Sequence, residues 1–274
     1  MLRPGLLVDV ADLDGLDAVV LDTRLTTTGP PGRVQFDAGH LPGAVYVDVD
    51  DDLAEAPGLG GRHPLPVPER FVAAMRRAGV RRDSTVVVYD AGPATAAARL
   101  WWLLRDFGHE DVLVLDGGLA AWAASGRRVA TDPTPPPTLG DWSGVPGHLS
   151  VIDDAEAGAF PARGVLLDVR AAERFRGETE PIDPVAGHVP GAVNAPLTEV
   201  TDELGRFRSP EALRAHFASL GVGADLPVAA YCGSGVTACQ TVLALRMVGL
   251  DAALYAGSWS GWISDPSRPV ATGS

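Results

Sequence analysis

The chain has 274 residues, 46% of them apolar and 21% charged, which suits a packed core and excludes wholesale disorder. All 22 basic residues are arginine, and against 35 acidic residues they leave a net charge of −13, which repels nucleic-acid backbones and anionic membranes at long range. No apolar run approaches the roughly 18 residues of a membrane span, and the acidic N-terminal stretch is not a signal peptide. Two cysteines are too few for a disulfide scaffold, so a soluble cytoplasmic protein is expected.

Taken in chain order, residues 18–21 form a short apolar run ending at Asp22, as buried strands do. The turn-like segment Gly39-His40-Leu41-Pro42-Gly43-Ala44-Val45 follows. Residues 68–78 carry apolar side chains at helical spacing, with Pro68 at the start and Gly79 as the stop. Residues 85–89 read as a strand, 94–107 as a helix ended by Gly108, and 111–115 as another strand. Residues 131–140 then hold four prolines, the composition of an extended linker.

The series then repeats in order: a strand at 165–167 ending at Asp168, the segment Gly187-His188-Val189-Pro190-Gly191-Ala192-Val193, and a helix at 210–220 before Gly221. A strand at 227–231, a helix at 236–248 before Gly249 and a strand at 252–255 complete it. Such self-similarity implies two homologous halves: residues 1–130 and 151–274, joined by a Pro-rich linker at 131–150. Strands alternating with helices predict an α/β fold, each half a parallel sheet with helices on both faces. In such sheets ligands bind at the carboxyl ends of strands, here the turns after Tyr89 and Tyr231.

The second turn reads Cys232-Gly233-Ser234-Gly235-Val236-Thr237 and leads into a helix. Its glycines allow successive N–H groups to turn inward, and such a ring at a helix start favours an anion, here the Cys232 thiolate. Cys239 falls inside the helix and reads as a buried structural residue. The Gly233-to-Ala238 stretch fits a dinucleotide fingerprint only weakly, with no acidic residue about 20 positions on. A cysteine phosphatase would need an arginine in the loop, and a serine-hydrolase elbow would need glycine where Cys232 stands. The six histidines are scattered, and no metal-ligand spacing occurs.

The loop Cys232-Gly-Ser-Gly-Val-Thr237 resembles that of tandem-domain rhodanese-type sulfurtransferases, and most closely the 3-mercaptopyruvate sulfurtransferases. His40-Leu-Pro-Gly43, Arg99-Leu-Trp-Trp102, Asp116-Gly-Gly118, Arg174-Phe-Arg-Gly177 and Gly257-Ser-Trp259 extend the resemblance over nearly the whole chain. The resemblance implies a catalytically inactive first domain, with Asp90 in place of the cysteine, and one active site at the domain interface. It implies that Cys232 takes sulfur from a small-molecule donor as a persulfide and passes it to cyanide or to a thiol such as thioredoxin, with no metal or organic cofactor. The loop Gly233, Ser234, Gly235, Val236 and Thr237 would cradle the persulfide, Arg174 would bind the donor carboxylate, and His40 would activate Ser234. Asp37 is the carboxylate nearest His40 in sequence, and Arg170 and Arg176 are secondary candidates for the clamp. One departure stands out: the family's second clamp arginine is replaced by Ile182 in Glu180-Pro181-Ile182-Asp183. Thiosulfate is therefore the alternative donor, and a non-turnover sulfur carrier or regulatory module is a third reading.

Overall fold

A computed structural model describes residues 5–26 and 29–274 of the chain. Runs such as Val86, Val87 and Val88 are fully buried, which requires cover on both faces of the strand that holds them. That strand is central in a five-stranded parallel sheet built from β1 (Leu7–Val8), β2 (Ala18–Asp22), β3 (Val45–Tyr46), β4 (Thr85–Tyr89) and β5 (Val112–Leu115), in the order β1-β5-β4-β2-β3. The second half repeats it with β6 (Val151–Ile152), β7 (Val165–Asp168), β8 (Val193–Asn194), β9 (Val228–Tyr231) and β10 (Ala253–Tyr255), in the order β6-β10-β9-β7-β8. The registers match too: Asp22 pairs with Tyr89 and Asp168 with Tyr231.

The proline-started helices are Pro68–Arg77 and Pro210–Ser219. The first has Glu69 in its opening turn and Arg76 and Arg77 in its last, complementing the helix dipole. In the second, Ser209 Oγ accepts the Ala212 N–H as an N-cap. The helices after the two key turns, Ala97–Asp106 and Ala238–Met247, begin later than their apolar patterns suggest, because the preceding residues stay in the turn. These two helices pack on each other across the domain boundary. Their side chains, among them Trp101, Trp102 and Leu243, join one apolar core that runs through both halves. The interface is thus a continuous core, which holds the two strand-end turns in fixed relation.

Residues 131–150 contain no helix or strand, but they are not a free spacer. Trp142 is buried against Phe71 and Phe107, and Arg76 Nε donates to its carbonyl at 2.7 Å. The Asp106 carboxylate accepts the N–H groups of Gly147 and Leu149. Apolar contact with the first sheet's helices thus fastens this segment down.

Candidate active site

β9 ends at Tyr231, whose hydroxyl accepts the Val189 N–H at 3.0 Å and so fixes the strand end against the repeated Gly187-to-Val193 segment. Cys232 follows at once. Its Sγ accepts the Gly235 N–H at 3.1 Å, and its own N–H donates to Ser258 Oγ at 3.1 Å. Gly235 sits at φ +83°, where a Cβ would lie 2.3 Å from the Ala256 carbonyl oxygen, so only glycine lets this N–H face the sulfur. The carbonyls of Cys232 and Gly233 accept the N–H groups of Trp259 and Ser260, which seat the turn on the helix Ser258–Trp262. Val236 is fully buried and Thr237 is the N-cap position of the helix Ala238–Met247. Cys232 itself is only 2% exposed, at the floor of the seam between the domains.

The first domain completes the surroundings. Ser234 Oγ lies 2.7 Å from His63 Nδ1, and His63 Nε2 lies 2.9 Å from Asp50 Oδ1. The carboxylate requires a proton on Nε2, which leaves Nδ1 to accept the Ser234 hydroxyl. Burial pushes His63 below its ordinary value, and the Asp50 charge opposes that shift without cancelling it. The neutral ring is therefore favoured.

The structure brings together Cys232, Ser234 and Arg174, but not His40. His40 is buried in its own domain, where its Nδ1 donates to the Phe36 carbonyl at 2.9 Å and its ring stacks on Phe36 at 4.0 Å. His188 does the same with Phe175 in the second repeat, at 2.7 Å and 3.7 Å. A histidine present in both repeats serves the repeated turn, and His63 takes the place expected of His40. Asp37 is exposed and pairs with Arg33, and Asp50 is the carboxylate that meets His63.

Arg174 Nη2 donates to Glu180 at 2.7 Å and to Asp183 at 3.2 Å, beside the Cys232 turn. Arg170 is engaged by Asp168, Glu180 and the Gly187 carbonyl, and Arg176 lies at the surface with Glu178. Cys239 is completely buried, and burial pushes its thiol up to about 12, which keeps it protonated. Arg99, also fully buried, donates to the Gly235 carbonyl at 3.3 Å and the His63 carbonyl at 3.2 Å, tying the cysteine turn to the histidine segment. Among the described residues no acidic, cysteine or histidine cluster suits a metal ion, and no helix is long and apolar enough to cross a membrane.

The family model described as "Rhodanese-like domain" matches residues 10–125 and again 152–265. The chain belongs to the rhodanese-like sulfurtransferases. It is 47% identical to the Pseudomonas aeruginosa protein named "Probable 3-mercaptopyruvate sulfurtransferase", over 96% of this chain and 95% of that one. It is 42% identical to the Mycobacterium tuberculosis protein named "Putative thiosulfate sulfurtransferase SseB", over 99% and 98%. Among solved structures it resembles SseA of Escherichia coli, described as a 3-mercaptopyruvate sulfotransferase of rhodanese fold, with a TM-score of 0.81 and 32% identity over 93% of this chain and 98% of that one.

Within this rhodanese-like pair, sequence reasoning missed three polar groups at the site: Asp50, His63 and Arg62. All three come from the segment between β3 and the helix Pro68–Arg77: Asp50 from the one-turn helix Val49–Asp52, Arg62 and His63 from the irregular loop that follows it. The available signal was the Gly61-Arg62-His63-Pro64 run, two polar side chains inside a Gly/Pro-rich loop, with the acidic run Asp50 to Asp52 upstream.

Proposed function

We propose that this sulfurtransferase takes sulfur from 3-mercaptopyruvate onto Cys232 and delivers it to cyanide or a cytoplasmic thiol such as thioredoxin. The observation that carries this reading is the Asp50–His63–Ser234 chain beside a cysteine sulfur already held by a backbone N–H. The Cys232 thiolate attacks the donor sulfur. An S–S bond forms, the carbon–sulfur bond breaks, and its electron pair leaves on carbon as the enolate of pyruvate. The donor sulfur's proton passes to Ser234 and His63 and returns to the enolate carbon, so pyruvate departs and Cys–S–S⁻ remains. The Gly235 N–H supports the sulfur anion, and the guanidinium of Arg174 supports the donor carboxylate.

Thiosulfate is the second reading, favoured by the cationic cover of the loop, which also suits a dianion. In that reaction the thiolate takes the sulfane sulfur and sulfite leaves with the bonding pair, so no proton moves. The His63 relay therefore separates the two donors. Turnover should be measured as pyruvate release from 3-mercaptopyruvate and as sulfite release from thiosulfate, in wild type and His63→Asn. The first donor is supported by higher kcat/KM and by selective loss of pyruvate release in the variant. A clear thiosulfate preference, unaffected by His63→Asn, would overturn it.

A further inference from the structure

Two guanidinium groups, one from each domain, cover the Cys232 turn. A Cβ placed on Gly233 would lie 2.8 Å from Arg62 Nη2 and 3.7 Å from Arg174 Nη2. We propose that Arg62, supplied by the N-terminal domain, is the second anchor for the donor's carboxylate and thereby sets the donor preference of the site. The inference rests on the donor assigned above and extends it to a residue of the other domain.

The backbone that carries Arg62 is fixed to the C-terminal domain. Arg62 N–H donates to Ser260 Oγ at 3.0 Å, and Ser264 Oγ donates to the Leu59 carbonyl at 2.9 Å. Gly61, at φ +103°, lies so close that a Cβ there would be 2.7 Å from the Gly257 carbonyl oxygen. Ser260 and Gly257 belong to the segment on which the Cys232 turn is seated, so the origin of the Arg62 side chain is fixed relative to the sulfur.

The far end of the side chain is fixed as well. Arg62 Nη1 pairs with Asp183 Oδ1, and Arg174 Nη2 donates to Asp183 Oδ2 at 3.2 Å. One buried carboxylate thus holds the two guanidinium groups side by side. Arg62 Nη2 and Arg174 Nη1 donate to no other described residue, and both lie against Gly233. Two charged N–H groups converging from two domains form a receptor for a planar carboxylate. Burial pushes the Arg62 guanidinium below its ordinary value while the charge of Cys232 pushes it back up, as expected for a cation facing the nucleophile.

Ile182 adjoins Asp183, is 42% exposed, and offers no charge to a carboxylate. Arg62 brings a guanidinium to Asp183 from the opposite side of the seam. Donor recognition then depends on both domains at once, since Arg174 belongs to one and Arg62 to the other.

The test is steady-state kinetics with 3-mercaptopyruvate on wild type, Arg62→Met and Arg62→Lys, together with the discharge rate of preformed persulfide to the neutral acceptor 2-mercaptoethanol. The expected result is a KM raised about 10- to 100-fold in Arg62→Met and less in Arg62→Lys, as for the loss or weakening of a charge-assisted hydrogen bond. The kcat and the discharge rate should stay within about threefold of wild type. Arg62→Lys keeps the charge and supplies a reading if Arg62→Met does not fold. A KM within twofold of wild type in the variants that fold, or a lower melting temperature with unchanged KM, would overturn the proposal and leave Arg62 as a structural link to Asp183. Failure of the donor assignment is distinguishable, because it appears in the wild type as absence of pyruvate release, before any variant is compared.

Discussion

Asp90 and Cys232 hold the same position in the two repeats, each directly after a central strand that ends in a buried tyrosine. The carbonyl of Asp90 accepts the Leu119 N–H at 2.9 Å, as the carbonyl of Cys232 accepts that of Trp259 at 2.9 Å. In the first repeat the Asp90 carboxylate takes the N–H groups of Gly92, Ala94, Ala96 and Ala97. The turn thus directs backbone N–H groups inward in both halves, onto a fixed carboxylate in one and onto the Cys232 sulfur in the other.

Removing the Asp90 carboxylate leaves several buried N–H groups without an acceptor. Asp90→Ala should therefore cost about 2–4 kcal/mol of stability. Urea denaturation measures this, and sulfur transfer by the folded fraction should stay within about threefold of wild type.

The relay assigns the two histidines opposite fates. His63→Asn should lower kcat with 3-mercaptopyruvate by about 10²- to 10⁴-fold. His40→Phe keeps the stack on Phe36 and should leave kcat within about twofold, at a cost of about 1 kcal/mol for the lost hydrogen bond to the Phe36 carbonyl.

Protonation of His63 removes its acceptor nitrogen, and burial keeps its folded value below the usual 6.5. The wild-type kcat/KM, which reports ionisations of the free enzyme, should show the loss assigned to His63 only below pH 6.5. A pH–rate profile with its acid limb centred above 6.5 would contradict this assignment of the base.

Ser258 occupies a left-handed backbone position at φ +53°, where the first repeat has Gly118 at φ +53°. A side chain there costs about 1 kcal/mol of strain. In return its hydroxyl accepts the Cys232 N–H and lies 3.9 Å from Sγ. Ser258→Gly should relieve the strain, leave thermal stability within a few degrees, and lower kcat/KM about 3- to 10-fold through a looser sulfur. Differential scanning calorimetry and pyruvate release on the same samples check both halves of this expectation.

The doubled architecture and the cysteine turn were legible because both are local in sequence. Pro68 and Pro210 mark helix starts, glycines mark the stops, and Cys232 follows an apolar strand into a glycine turn. The helix after the Asp90 turn starts at Ala97 rather than Ala94, since Ala94 stands at φ +63°, outside the right-handed helical region. His63 escaped because its partner Ser234 lies 171 residues away, and only docking of the domains brings the two together. His40 drew attention instead through the family resemblance of His40-Leu-Pro-Gly43, yet the recurrence of that histidine as His188, with the same carbonyl bond and ring stack, points to a shared structural duty. Arg62 escaped for the same reason as His63: its partners Ser260 and Asp183 lie in the other domain, far away in sequence.

The central claim is that Cys232 alone carries the migrating sulfur atom. Intact-mass and peptide mass spectrometry after brief treatment with 3-mercaptopyruvate, without acceptor, tests it most directly. The wild type should gain one sulfur atom, located on Cys232 and removed by cyanide, whereas Cys232→Ser should gain none and remain folded. An unmodified Cys232 in the treated wild type, or sulfur located on Cys239 instead, would contradict the account.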